Sequence, residues 1–159
     1  MGEVLVLYYS RTGNVEAMAK AVAEGVNSVE GASSKLRRVD YANVDDLISC
    51  DAVAFGSPNY FGFMAGVMKD FFDNAWSVRE KVSGKLAVAF TCGGSSSNAA
   101  LLSLEKMYSA FKLEKASEGV VWGIREQGTL SEPNLTACKK IGEALAKAAI
   151  EKEAKAPLD

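Results

Sequence analysis

Four apolar runs alternate with helical patterns along this chain, and that alternation limits the possible folds more than any other feature. The runs EVLVLYY, DAVAFGS, KLAVAFT and the shorter GVVWGI begin at residues 3, 51, 85 and 119. Strands that are apolar at consecutive positions are buried on both faces, which is typical of a parallel sheet covered by helices. A more polar run at residues 34–40 alternates as an edge strand does. The pattern therefore predicts five strands.

The segments between the predicted strands carry apolar residues at the spacing of a helix. The first segment repeats apolar residues at the i, i+3, i+4 and i+7 positions of one buried face, namely Val15, Met18, Ala19, Val22 and Val26. Comparable stripes occupy residues 67–75, 101–111 and 135–149, and a short helix is expected between residues 42 and 50. Five βα units predict a single doubly wound α/β domain over residues 1–159, with a five-stranded parallel sheet in the order 2-1-3-4-5. A ligand crevice is expected at the carboxyl ends of its strands.

Composition excludes several classes of function. The net charge is -2 and the pI is about 5.3, so no surface for nucleic acid is expected. The absence of histidine removes Ser-His-Asp and Cys-His catalysis and any His-ligated metal. The three cysteines are widely spaced and are expected to be reduced and buried. With no bilayer-spanning run and no leader, a cytoplasmic location without membrane insertion is expected. Demanding chemistry would therefore need a cofactor.

The first candidate loop follows strand one and leads into the first helix. It consists of Ser10, Arg11, Thr12, Gly13 and Asn14. Hydroxyl and amide side chains alternate with a glycine that allows backbone N–H groups to converge, and convergent N–H groups at a helix start form an anion site. The loop lacks the Walker A and GxGxxG patterns. From these residues alone, a phosphate site and an ordinary capped turn are equally good interpretations.

The second candidate loop is GSPNYFGFMAG, which follows the predicted third strand. Two of its aromatic residues, Tyr60 and Phe61, are expected to stack on a flat ring, while backbone groups of residues 59–62 hydrogen-bond the ring edge. Phe63 is expected to cap the core instead.

The third candidate loop is TCGGSSSN, at residues 91–98. Its glycines and serines allow a backbone to approach a ligand closely, although a flexible helix cap would have the same composition. Cys92 has no histidine or lysine nearby in the sequence to activate it, so a catalytic thiol is not expected. The three loops together suit a phosphorylated ligand with a planar ring.

These motifs resemble the flavodoxin family, and most of all its WrbA-like NAD(P)H:quinone oxidoreductase branch. YYSRTGN is similar to the FMN phosphate loop, although Val15 replaces the usual hydroxyl residue, and FGSPNYFGFMAGVMKDFFD is similar to the stretch that holds the flavin ring. GKLAVAFTCGG resembles the fourth strand and its loop. The resemblance implies a flavodoxin-like fold and an FMN site made of Ser10, Arg11, Thr12, Gly13, Asn14, Val15, Pro58, Asn59, Tyr60, Phe61, Gly62, Thr91, Cys92, Gly93 and Gly94.

Two functions remain open on this resemblance. A flavoenzyme would pass electrons from NAD(P)H through FMN to a quinone-like acceptor, whereas a carrier would dock to a redox partner protein without a substrate of its own. Loop 91–98 has no aromatic residue, so one flavin face is expected to be open to a substrate ring. Trp76, Trp122 and Arg125 are the candidate neighbours of that face, and a second subunit of a homo-oligomer could also cover it. No catalytic residue or metal ligand is predicted, because the chemistry would take place on the flavin.

Overall fold

One parallel sheet organises the chain in the order β2 (Ala32–Arg38), β1 (Gly2–Tyr8), β3 (Ala52–Pro58) and β4 (Leu86–Gly93), and two further short strands both pair with β4. The computed structural model describes residues 2–95 and 97–157, so Ser96 of the third loop lies outside the described residues. The strands within these ranges are β1 (Gly2–Tyr8), β2 (Ala32–Arg38), β3 (Ala52–Pro58), β4 (Leu86–Gly93), β5 (Glu114–Lys115) and β6 (Val120–Gly123). The predicted doubly wound sheet and its strand order are confirmed.

The fifth strand is where the prediction was too simple. Glu114–Lys115 pairs with the start of β4, and Val120–Gly123 pairs with its end. The register changes between the two segments, because more residues separate β5 from β6 than separate their partners on β4. A Cβ atom on Gly119 would lie 2.3 Å from the Ala89 carbonyl oxygen, so the chain rejoins β4 where only glycine fits.

Helices cover both faces of the sheet. They are α1 (Asn14–Asn27), α2 (Val44–Ser49), α3 (Gly66–Ala75), α4 (Arg79–Val82), α5 (Ala99–Ala110), α6 (Ile124–Gln127) and α7 (Glu132–Lys155), with a 3₁₀ turn at Trp76–Val78. One buried cluster lies under α1 and α7, and the other lies under α3 and α5. No helix in the described part of the chain is long and apolar enough to cross a membrane.

The backbones of helices α1 and α7 are in direct contact. A Cβ atom on Gly25 would lie 2.0 Å from the Lys139 carbonyl oxygen, and one on Gly142 would lie 2.1 Å from that of Val22. Such close contact holds the two helices firmly on one face of the sheet. The first turn of α1 is thereby fixed relative to the carboxyl ends of the strands.

Candidate functional site

A cavity of about 360 Å³ lies at the carboxyl ends of β1, β3 and β4. Its walls come from the three predicted loops and from the start of α6: Ser10, Arg11, Thr12, Asn14, Val15, Pro58, Asn59, Tyr60, Cys92, Gly93, Gly94 and Ile124. The fold therefore brings together residues that are far apart in the sequence. The sequence analysis did not predict Ile124 as a cavity residue. Its position directly after the last strand could have indicated it, because the ligand crevice lies at the strand ends.

The first loop is a tight turn closed by Ser10. The Gly13 amide donates to Ser10 Oγ over 3.1 Å, and Gly13 adopts φ 96°. Its own amide is therefore not directed at a ligand, contrary to the simplest picture of converging N–H groups. The amides of the first turn of α1 have no intrahelical acceptor and carry the positive end of the helix dipole. Together with the hydroxyls of Ser10 and Thr12, they form a donor set suited to an anion.

A residue that sequence reasoning missed holds this loop from outside. Arg38 Nη1 donates to the Ser10 carbonyl oxygen over 3.0 Å. Arg38 is the last residue of β2, and Ser10 follows the adjacent β1. The position of Arg38 at the end of a strand could have indicated this contact, because the carboxyl ends of neighbouring parallel strands lie side by side.

The second loop forms a small hairpin beside the cavity. Tyr60 and Phe63 exchange backbone hydrogen bonds of 2.9 and 3.0 Å, and the two residues between them, Phe61 and Gly62, have φ values of 56° and 78°. Phe61 is fully exposed and does not line the cavity. Phe63 is 44% exposed, so the expectation that it caps the core was wrong. Positive φ at a bulky aromatic residue is unfavourable, and backbone strain of this kind clusters at functional sites.

Most amides of the second loop are already paired within the protein. The Asn59 amide donates to the Cys92 carbonyl over 2.9 Å, and the Gly62 amide donates to Asn59 Oδ1 over 2.8 Å. The Tyr60 amide closes the hairpin. Of the amides expected to bind a ring edge, Phe61 alone has no acceptor among the described residues.

The third loop contributes backbone rather than side chains. A Cβ atom on Gly93 would lie 2.6 Å from Asn59 Cβ, so the two loops touch where glycine is required. Thr91 was predicted to contact the cofactor, but its side chain is 1% exposed and does not line the cavity. Among the described residues, Thr91 Oγ1 has no hydrogen-bond partner. Burial raises the pKa of the Cys92 thiol, so the cavity wall carries no thiolate at neutral pH.

The three residues predicted near an open flavin face have different positions. Trp76 begins the 3₁₀ turn after α3 and packs edge-on against Phe111 with ring centroids 5.4 Å apart. Because the ten residues of α3 span about 15 Å, Trp76 lies at the opposite end of the sheet and does not approach the cavity. The buried Trp122 donates from Nε1 to the Gly128 carbonyl. The exposed Arg125 bonds through its amide to the Gly94 carbonyl, at the cavity rim.

Comparison with known proteins places this chain in a family. The sequence profile described as Flavodoxin matches residues 6–133. A protein named flavodoxin from Aquifex aeolicus is 43% identical over 59% of this chain and 51% of its own length. A protein named NAD(P)H dehydrogenase (quinone) from Geobacter sulfurreducens is 39% identical over 55% of this chain and 56% of its own length. The chain thus spans about half the length of these curated relatives.

A solved structure supports the same fold. The flavodoxin, WrbA-like protein from Agrobacterium tumefaciens superposes with a TM-score of 0.76 at 23% sequence identity, covering 95% of this chain and 99% of that one. At this identity the similarity is one of fold. The sheet order, the position of the cavity and the match to the family profile agree. The chain belongs to the flavodoxin family.

Proposed function

We propose that this chain binds FMN in the cavity between its three loops and passes electrons from NAD(P)H to a quinone-like acceptor. FMN lies at the corresponding switch point between strands one and three in flavodoxin. The cavity volume of about 360 Å³ falls within the range of small-molecule sites, about 300–1,000 Å³. Its donor set at the start of α1 suits a phosphate, and its opposite wall suits a planar ring.

Each loop would have one task in holding the cofactor. Ser10, Thr12 and the first turn of α1 would bind the phosphate, and Arg11 would supply a positive charge. Tyr60 would contact the ring, and the amide of Phe61, which directly follows the cavity-lining Tyr60 and has no acceptor among the described residues, would donate to the ring edge where it extends beyond the cavity. Bound FMN would supply the electron-transfer chemistry, while the protein would orient the ring and limit its exposure to water.

The single observation that favours an enzyme is the composition of the cavity wall. Among its described residues Tyr60 is the one aromatic, and the wall formed by the end of β4 and the residue after it consists of Cys92, Gly93 and Gly94. A wall of small residues leaves space for a nicotinamide or quinone ring to stack on the flavin. Trp122 does not fill that space, because it is buried and hydrogen-bonded to Gly128.

An electron carrier is the second candidate function. The observation in its favour is the hairpin at residues 60–63, which exposes Phe61 completely beside the cavity. An exposed aromatic residue next to a redox cofactor would suit transient contact with a partner protein. In that case no small-molecule substrate would be needed.

Two measurements test the cofactor and the reaction in turn. The purified protein is expected to be yellow and to release FMN, not FAD, on denaturation; a colourless protein that ignores added FMN would overturn the proposal. The loaded protein is then assayed for NADH and NADPH oxidation with benzoquinone, beside an equal concentration of free FMN. Turnover no faster than free FMN would eliminate the enzyme and leave the carrier.

A further inference from the structure

Arg38 makes an unusually complete set of contacts for a residue outside the cavity. Nη1 donates to the Ser10 carbonyl over 3.0 Å, while Nε and Nη2 donate to the two carboxylate oxygens of Asp40 over 3.1 and 3.2 Å. All three guanidinium nitrogens are therefore engaged. A planar fork that is bound on two sides has little freedom to move.

Two aromatic rings restrict the same guanidinium further. Its central carbon lies 6.0 Å from the Tyr8 ring centroid and 5.4 Å from that of Tyr9. Tyr8 in turn donates from its hydroxyl to Glu16 in the first turn of α1 over 3.2 Å. Arg38 therefore joins the ends of β1 and β2 to the loop before α1.

The bond to Ser10 determines which way one peptide unit of the loop points. In a trans peptide the carbonyl and the following N–H point in opposite directions. With the Ser10 carbonyl held towards Arg38, the Arg11 amide must point away from it. Ser10 and Arg11 line the cavity and Arg38 does not, so Arg38 lies on the outer side of this peptide.

We propose that Arg38 is a positioning residue for phosphate recognition, which orients the loop of residues 10–14 towards the phosphate monoester of the flavin. This inference rests on the proposed FMN site. Asp40 forms an ion pair with Arg38, so the contribution of Arg38 to phosphate binding is mainly geometric. Arg11 remains the cation on the cavity wall. Loss of Arg38 should weaken binding of the phosphate while sparing binding of the ring.

The test compares FMN with riboflavin, which carries the same ring without the phosphate. Apoprotein is prepared from the wild type, Arg38→Ala, Arg38→Lys and Arg37→Ala, and both ligands are titrated by quenching of flavin fluorescence. Arg37→Ala is the matched control, since it also removes one positive charge from β2, one position away. The Arg37 side chain is exposed. The readout is the ratio of the riboflavin Kd to the FMN Kd, called here the phosphate preference.

The expected results differ between the variants. Arg38→Ala should lower the phosphate preference about tenfold or more, as for loss of a charge-assisted hydrogen bond. Arg37→Ala should leave it within about twofold of the wild type. Arg38→Lys keeps the charge but cannot bond Ser10 and both Asp40 oxygens, so it should also lower the preference, by less than alanine. The lysine variant provides the test if Arg38→Ala fails to fold.

Several outcomes would overturn the inference. Equal weakening of FMN and riboflavin would show a general structural role, and an equal loss of preference in Arg37→Ala would show an effect of net charge. If Arg38→Lys kept the wild-type phosphate preference, the bonds of the planar guanidinium to both Ser10 and Asp40 would not be needed. If wild-type apoprotein bound neither ligand, the proposed function itself would fail; binding with an unaltered preference in the Arg38 variants would overturn this inference alone.

Discussion

The amide of Asn59 donates to the carbonyl of Cys92 over 2.9 Å, and this bond joins the residue that follows β3 to the end of β4. Gly93 continues the contact, because its Cα lies directly against the Asn59 side chain. The pair sets the separation between the wall that would contact the flavin ring and the small-residue wall opposite. A change at this contact should therefore alter both stability and ligand binding.

Gly93→Ala tests that contact. The added Cβ would lie 2.6 Å from Asn59 Cβ, so the loop must shift, and overpacking of this kind costs about 1–3 kcal/mol of unfolding free energy. FMN affinity should fall about tenfold or more in the same variant. Gly66→Ala is the control, since its Cβ would meet nothing within 4 Å and Gly66 does not line the cavity. Urea unfolding and flavin titration give the two quantities, and equal behaviour of the two variants would contradict the role of this contact.

Gly13→Val should weaken FMN binding through backbone strain. A Cβ on Gly13 would meet nothing within 4 Å, so no atom is blocked, but φ 96° is unfavourable for valine by about 1–2 kcal/mol. Relief of that strain would distort the turn closed by Ser10. Gly84→Val is the matched control, because Gly84 has φ 88°, equally open surroundings and a position before β4, far from the cavity.

The two glycine variants separate stability from binding. Both should lose similar unfolding free energy, measured by urea denaturation of the apoprotein. Only Gly13→Val should lose FMN affinity, by about tenfold or more, in a fluorescence titration. Retained affinity in Gly13→Val would mean that the phosphate is bound elsewhere.

Phe61→Asn should stabilise the apoprotein. The residue occupies the left-handed region in a hairpin turn, where asparagine followed by glycine is strongly preferred, and Gly62 is already in place. We expect a gain of about 1 kcal/mol in unfolding free energy. Tyr41→Asn also removes an exposed aromatic residue but at ordinary φ, and it should change stability by less than about 0.5 kcal/mol. A destabilised Phe61→Asn protein would show that the exposed ring makes a favourable contact.

The buried thiol of Cys138 should lower the free energy of unfolding at alkaline pH. Burial, with a smaller effect of Cys92, raises the pKa of this thiol from 9.0 to about 12. Between these values the unfolded chain releases a proton that the folded chain keeps, so unfolding becomes easier as pH rises. Below about pH 9 the contribution is complete, and it is lost as the pH approaches 12.

The measurement is the slope of unfolding free energy against pH, from about pH 8 to about pH 11. Cys138→Ala should be less stable than the wild type at neutral pH but should show a shallower alkaline decline. Val26→Ala, in the same buried cluster, controls for the cavity because it removes no titratable group. An unchanged slope in Cys138→Ala would exclude this thiol as a source of the decline.

The candidate site could be located from the sequence only as far as its loops. Ser10, Asn59 and Gly93 were assigned because each follows an apolar strand, and the ends of parallel strands meet at one edge. Trp76 was misplaced because a helix carries the chain about 15 Å from one end of the sheet to the other. Arg38 was missed because its contact with Ser10 links residues 28 positions apart.

The sequence by itself determined the doubly wound sheet, its strand order and the three loops at one end, because burial leaves a periodic apolar pattern in each element. The tertiary structure alone decided how the loops are used. It turned the Gly13 amide back to Ser10, paired the Asn59 amide with Cys92, exposed Phe61 in a strained turn and split the fifth strand. These features depend on hydrogen bonds and close contacts between distant segments, which leave no periodic trace in either segment.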